Sequence, residues 1–138
     1  INLSGSHQIL HANRQMMEEL VYNLCDNAIR YNKAGGRVDV KVDREKIDDN
    51  KKDQTDQEIS YDAVVLQVRD TGIGISEEHQ GRIFERFYRV DKSRSKLTGG
   101  TGLGLAIVKH IVAKHPSAHI ELDSTLGEGT DIRVVFRV

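Results

Sequence analysis

Residues 16–42, MMEELVYNLCDNAIRYNKAGGRVDVKV, change their hydrophobic period once, at Gly35-Gly36. Before the glycines, Met16, Met17, Leu20, Val21, Leu24, Cys25, Ala28 and Ile29 fall on one stripe at helical spacing. Asn13 is placed to cap the start of that helix and the glycines to stop it. After them, Val38, Val40 and Val42 alternate with Asp39, Lys41 and Asp43, the period of a half-buried strand. A helix turned by glycines into a strand is the unit from which layered α/β folds are built.

Working outward, Ala63, Val64, Val65, Leu66 and Val68 form a more continuous apolar run and read as a neighbouring strand. Between the two strands, residues 44–60 are charged and amide-rich, and a long mobile hairpin connection is expected there. A second helix is expected from Leu103 to His115, closed by Pro116, with Leu105, Ile107, Val108, Ile111 and Val112 on its buried side. Ile120 to Asp123 and Asp131 to Val138 then alternate as strands around the turn LGEG. The order predicts one domain, residues 1–138: an α/β two-layer sandwich with helices on one face of a mixed β-sheet.

Composition narrows the function. Hydrophobic content of 38%, charged content of 30% and a net charge of -1 describe a soluble globular protein without the basic excess that nucleic-acid binding needs. The single cysteine, Cys25, cannot form an internal disulfide and reads as a buried reduced thiol, which points to the cytoplasm. No apolar run approaches the roughly 20 residues of a membrane helix, so no direct membrane contact is expected. Opening at Ile1 without a methionine, the chain reads as a piece of something larger. The six histidines show no metal-ligand spacing.

Three clusters carry chemistry. Helical geometry puts Asn23, Asn27 and Arg30 on one face, about a quarter-turn from the apolar stripe. Asparagine inside a helix costs up to about 0.7 kcal/mol relative to alanine, so the pair is either a solvated surface feature or a ligand site. Amide oxygens suit Mg²⁺, which shares its shell with substrate phosphates that Arg30 could meet. Asp70 follows the strand AVVLQV directly. Ionised, it only accepts hydrogen bonds, so it could select the exocyclic amine of adenine, while Gly72 and Gly74 would let backbone approach a planar ring. The alternative is a strand-to-helix turn with Asp70 as cap. In TGGTGLGLAIVKH, glycines run into the second helix, whose free N–H groups can hold an anion; a flexible linker is the alternative. Between these clusters, RIFERFYRVDKSRS suits a hinged segment anchored by Phe84 and Phe87, with Arg86 or Arg89 within reach of a phosphate.

In this order NLCDNAIRY (23–31), DTGIGI (70–75), FERFYR (84–89), GGTGLGL (99–105) and GEGT (127–130) closely resemble the N box, first G box, F box and later G boxes of bacterial sensor histidine kinases. The resemblance covers nearly the whole chain and implies the Bergerat-type, or GHKL, ATP-binding sandwich, shared with DNA gyrase, a heat-shock chaperone family and mismatch-repair ATPases. It implies Asn27 as main Mg²⁺ ligand with Asn23 supporting it, Arg30 as phosphate contact, and Tyr31 as a wall beside the nucleotide. Asp70 would accept the adenine amine, with Gly72 and Gly74 clearing space. Arg89 would approach the γ-phosphate, residues 90–101 would form the ATP lid, and Gly100, Thr101, Gly102, Leu103 and Gly104 would wrap the phosphates. Thr130 would help hold the adenine end.

The resemblance also implies ATP and Mg²⁺ as cofactors and a two-component role. The hydrolysing relatives carry a glutamate where this chain has Asn23, and an amide cannot act as general base, so weak ATPase activity is expected. His7 and His11 lie in no phosphoacceptor pattern. The acceptor histidine is therefore expected on an upstream dimerisation and phosphotransfer domain, its phosphoryl group passing to a response-regulator receiver domain. The parent would be a membrane-bound sensor with this domain on the cytoplasmic side. Two rivals share parts of the pattern: an anti-sigma-factor serine kinase of the same fold, and an aspartic protease, whose signature also contains Asp-Thr-Gly.

Overall fold

The computed structural model describes residues 1–52, 58–88 and 103–138. Its elements run β1 (Asn2–Gly5), α1 (Arg14–Arg30), β2 (Val38–Lys52), β3 (Glu58–Asp70), α2 (Glu77–Gln80), α3 (Gly104–Ala113), β4 (Ala118–Thr125) and β5 (Gly129–Arg137). The sheet order is β1-β2-β3-β5-β4. β1 runs parallel to β2, and the other neighbours are antiparallel. The sheet is therefore mixed, as its sequence order predicts.

One main core lies between the sheet and the helices. Leu20, Leu24 and Ala28 from α1 and Val108, Ile111 and Val112 from α3 pack with Val38, Val40, Val64, Leu66, Val68, Ile132, Val134 and Phe136. The strand residues are alternate positions, because a pleated strand sends every second side chain to the same face. Ile107 departs from expectation: it is 36% exposed rather than buried. The buried stripe of α3 runs through 108, 111 and 112, and 107 stands at its margin.

Asn13 caps α1 as its sequence suggests, its side-chain oxygen accepting from the Met16 amide at 3.0 Å. The helix stops at Arg30, five residues before Gly35. Asn32 ends it: its side chain accepts from Lys33 N at 2.8 Å and donates to the Arg37 carbonyl at 3.0 Å, local bonds that compete with helix continuation. The glycines serve the loop that follows, Gly35 at φ 74.

The expected hairpin connection at 44–60 is mostly paired strand. β2 and β3 stay in register from Val38↔Asp70 to Asp49↔Ile59, with an irregularity before Lys52↔Glu58. Among the described side chains, what holds the extension is largely polar, which is why hydrophobic patterning misses it. Arg44 pairs with Asp62 at 3.3 Å, and Glu45 with Arg133 of β5 at 2.8 Å. A second, small apolar cluster also contributes, made of Ala63, Val65 and Val135 with Ile47 and Tyr61 against it, on the face away from the helices. Among the described residues, no helix is long and apolar enough to cross a membrane.

Candidate functional site

Three loops meet at the end of β3. The carbonyl of Tyr31, the cap of α1, accepts from Ile73 N at 3.1 Å, and the Ile73 carbonyl accepts from Gly127 N at 2.7 Å in the β4–β5 turn. Thr71 locks the α1–β2 loop, its hydroxyl accepting from Arg37 N at 2.7 Å. Lys33 closes the assembly by donating through Nζ to the Gly127 carbonyl.

The glycines make this meeting possible. A Cβ on Gly72 would overlap the Tyr31 carbonyl and crowd the Asp70 carboxylate; one on Gly74 would overlap the Thr125 carbonyl. Gly74 also stands at φ 68, a conformation that side chains disfavour. The space that these two glycines leave is thus filled by the chain's own backbone.

Asp70 ends β3 at the centre of that assembly, paired with Val38 on one side and Thr130 on the other. Its Oδ1 accepts from Gly72 N at 2.8 Å and Thr130 N at 3.2 Å. No described residue bonds Oδ2, so one oxygen is fixed and the other remains for an external donor. Burial pushes the carboxyl above the ordinary aspartate range, and the charge of Asp131 adds to this, while the two amides oppose it.

Thr130 is 7% exposed, and its hydroxyl is hydrogen-bonded to Ser124 Oγ at 2.9 Å. Ser124 also donates to the Gly129 carbonyl at 2.9 Å and accepts from Ile75 N at 2.8 Å. Ser124 and Lys33 are structural partners that sequence reasoning missed; a polar residue on a strand and a loop lysine carry no pattern of their own. Beside Asp70 a polar cleft of about 170 Å³ opens, with Ser124, Glu128 and Thr130 in its lining. It is smaller than the roughly 300 Å³ of a typical ligand pocket, so it could hold only one end of a nucleotide.

On α1, Asn23, Asn27 and Arg30 are all half-buried on one face. Asn23 donates to the Glu19 carbonyl of its own helix at 2.8 Å. Arg30 Nε meets Asp26 Oδ2 at 2.8 Å, and no described residue hydrogen-bonds the Asn27 side-chain amide. A Cβ on Gly104 would stand 3.4 Å from Asn23 Oδ1, so the amide face looks at the start of α3, where Leu103 supplies no side-chain cap. The structure thereby brings the first and third sequence clusters together. Arg89, Gly100, Thr101, Gly102 and the 90–101 segment lie outside the described residues.

Two expectations change. Phe87 is 63% exposed with its backbone at φ 64; the buried anchor of that segment is Ile83, at 7% exposure. The protease reading of Asp70-Thr71-Gly72 also fails, because the helices packed on one face of a mixed sheet contradict the nearly all-β fold that reading needs.

Residues 12–138 match the family model described as histidine kinase-, DNA gyrase B- and HSP90-like ATPase. Sensor histidine kinase RppB of Synechocystis sp. is 42% identical over 129 residues, 94% of this chain and 25% of that protein. Sensor-like histidine kinase SenX3 of Mycolicibacterium smegmatis is 46% identical over 110 residues, 80% of this chain and 24% of that protein. The chain thus spans about a quarter of the length of these curated relatives. Among solved structures, the mycobacterial sensor histidine kinase MprB superposes with a TM-score of 0.73 at 27% identity, covering 99% of this chain and 79% of that one. The catalytic domain of histidine kinase ThkA, in a nucleotide-free form, shares the fold with a TM-score of 0.69 at 21% identity, covering 98% of this chain and 77% of that one.

Proposed function

Because the chain belongs to the family of histidine kinase-, DNA gyrase B- and HSP90-like ATPases, we propose that it binds Mg-ATP and donates the γ-phosphate to a histidine on a separate dimerisation and phosphotransfer domain. The observation that carries this reading is Asp70: a partly buried carboxylate with Oδ1 held by two backbone amides and Oδ2 left unbonded by the described residues. Such a group favours adenine, which offers an amine, over guanine, which offers a carbonyl oxygen there. Thr130, fixed through Ser124, supports the same end. Gly72 and Gly74 contribute by holding the loop behind Asp70, Tyr31 walls the nucleotide, and Gly100, Thr101, Gly102, Leu103 and Gly104 wrap its phosphates.

The donor set fits Mg²⁺ in the sense that Asn27 presents a half-buried amide oxygen without a partner among the described residues, and Asn23 lies one turn away. No cluster of three or more histidine, cysteine or acidic groups able to hold a metal occurs among the described residues. Asn27 and Asn23 would therefore share the ion with phosphate oxygens. Bound there, Mg²⁺ would neutralise phosphate charge. Arg30 and Arg89 would meet the remaining charge, and positioning with neutralisation is most of what phosphoryl transfer asks of a protein.

The phosphohistidine would pass its group to a response-regulator receiver domain, and the domain would work on the cytoplasmic side of a membrane-bound sensor. Calorimetry with ATP and GTP, with and without Mg²⁺, tests the first step. Mg-assisted, adenine-selective binding is expected, reduced about 10- to 100-fold by Asp70→Asn through loss of a charged acceptor. A folded wild type that binds neither nucleotide would end this reading.

A further inference from the structure

The Ser124 hydroxyl, on β4, has three polar neighbours and one hydrogen. Its Oγ stands 2.8 Å from Ile75 N, 2.9 Å from the Gly129 carbonyl and 2.9 Å from Thr130 Oγ1. The Ile75 amide can only donate and the Gly129 carbonyl can only accept, so Ser124 gives its hydrogen to Gly129 and meets Ile75 with a lone pair. Its second lone pair is left for Thr130, which must therefore donate. The bonds run one way, from the Thr130 hydroxyl to Ser124 and on to Gly129. Gln80 of α2 holds the frame, its Nε2 donating to the Ile75 carbonyl at 2.8 Å and to the Ser124 carbonyl at 3.1 Å.

This direction matters because of what stands opposite. Thr130 is the cross-strand partner of Asp70, its amide donates to Asp70 Oδ1 at 3.2 Å, and both residues line the polar cleft with Ser124. Side chains of such a pair start about 5 Å apart on one face of the sheet. A threonine hydroxyl that kept its hydrogen could serve a donor or an acceptor alike. With the hydrogen spent on Ser124, the Thr130 oxygen can only accept, just as the ionised Asp70 carboxylate can only accept. Two acceptors on neighbouring strands suit an amine, which carries two hydrogens, and repel a carbonyl oxygen twice.

We propose that Ser124 is a positioning residue for the choice of base, acting through the Thr130 hydroxyl. It turns a group of either polarity into an acceptor, and so sharpens the preference for an exocyclic amine over a carbonyl oxygen. A buried acceptor facing a ligand without the matching hydrogen is left unpaired, which is how such a site rejects the wrong base. The inference rests on the reading above in which Asp70 and Thr130 meet the base, and it predicts an effect on base preference.

The test is competition calorimetry of ATP and ITP, both with Mg²⁺, on the wild type, Ser124→Ala, Ser124→Thr, Thr130→Val and the double variant Ser124→Ala/Thr130→Val. ITP carries a carbonyl oxygen where ATP carries the amine. Thermal melts confirm folding, and Ser124→Cys, whose thiol hydrogen-bonds weakly, takes the place of Ser124→Ala if that variant unfolds. The preference for ATP over ITP should fall about five-fold in Ser124→Ala, the worth of one hydrogen bond, as the freed Thr130 hydrogen becomes available to the carbonyl. It should hold in Ser124→Thr, which keeps a hydroxyl, and the double variant should match Thr130→Val. An unchanged preference in Ser124→Ala, with both nucleotides weakened alike or neither, would make Ser124 a structural brace and overturn the proposal. A further fall from Thr130→Val to the double variant would also overturn it, because Ser124 would then act by a route other than Thr130. A wild type that binds neither nucleotide, or both alike, would instead overturn the reading of Asp70 on which the proposal stands.

Discussion

At the scale of the residue, Asp70 is held against its own stability. Folding favours its protonated form, because burial opposes the charge more than the Gly72 and Thr130 amides support it. Between the ordinary aspartate range near 3.9 and the raised value, the folded state holds the proton more tightly than the unfolded chain does, so stability falls as pH rises through that window. Asp70→Asn should therefore melt at the same temperature as the wild type or higher at pH 7, with the difference growing as pH rises through the window. Nucleotide affinity of the wild type should run the opposite way, weakening as pH falls through it; thermal melts and binding titrations from pH 4 to 8 check both. The glycines divide just as sharply. Gly74→Ala would meet the Thr125 carbonyl in a left-handed conformation and should cost about 2 kcal/mol or more. Gly81 has open space where its Cβ would stand and an ordinary φ of -73, so Gly81→Ala should be neutral or stabilising by up to about 1 kcal/mol. Denaturant melts separate the two. An acid followed by glycines stands out in the sequence as a candidate site, but why Gly72 and Gly74 are glycines does not: the backbone they admit comes from Tyr31 and Thr125, far away in the chain.

At the scale of the element, α1 was legible at its start and not at its end. Asn13 is a local signal read through one hydrogen bond, and Asn13→Ala should cost about 1 kcal/mol in a urea melt. The stop depends on Asn32, whose side chain bonds Lys33 and Arg37 only once the loop has closed, whereas Gly35-Gly36 is the louder signal. The β2–β3 hairpin shows the same limit in strands. Its inner half announces itself through valines, while its outer half pairs through Arg44–Asp62 and Glu45–Arg133, contacts between residues 18 and 88 positions apart. Among the described residues, that outer half gives Ile47 and Tyr61 to the small cluster and nothing beyond Val42 of β2 to the main core. Replacing residues 46–62 by Asn-Gly, a two-residue turn between the paired Glu45 and Ala63, should preserve the fold at a cost of no more than about 3 kcal/mol. Nucleotide affinity should stay within about two-fold, since the described side-chain bonds of the outer half run to Asp62 and Arg133 and none reaches Asp70, Thr130 or the amide face of α1. Loss of binding in the shortened protein would show that the hairpin supports the site.

At the scale of the molecule, layer order and sheet type follow from where hydrophobic period changes, so the mixed sheet with helices on one face could be read from the chain. The closure of the site could not, because it joins α1, the loop after β3 and the β4–β5 turn through backbone contacts that have no residue code. What the proposed site would do with ATP turns on Asn23, the position where the resemblance puts the water-activating glutamate of the hydrolysing relatives. Its amide is turned into its own helix by the bond to the Glu19 carbonyl, with Oδ1 toward the start of α3. A carboxylate at that place could take a proton from water; an amide cannot. The nearest candidates on the same face do not replace it: Asp26 is committed to Arg30, and Glu19 is exposed to solvent. With no base for water among the described residues of that face, a site that binds ATP as proposed would hold the phosphoryl group for an acceptor that arrives with its own nucleophile, which is what transfer to a histidine on another domain requires. The chain alone, with saturating Mg-ATP, should therefore hydrolyse well below the roughly 1 per second that marks slow ordinary enzymes, and phosphate release measured over an hour settles it. Mg-dependent turnover at many per second would mean that a base has been overlooked, and that the protein spends ATP rather than holding it for transfer.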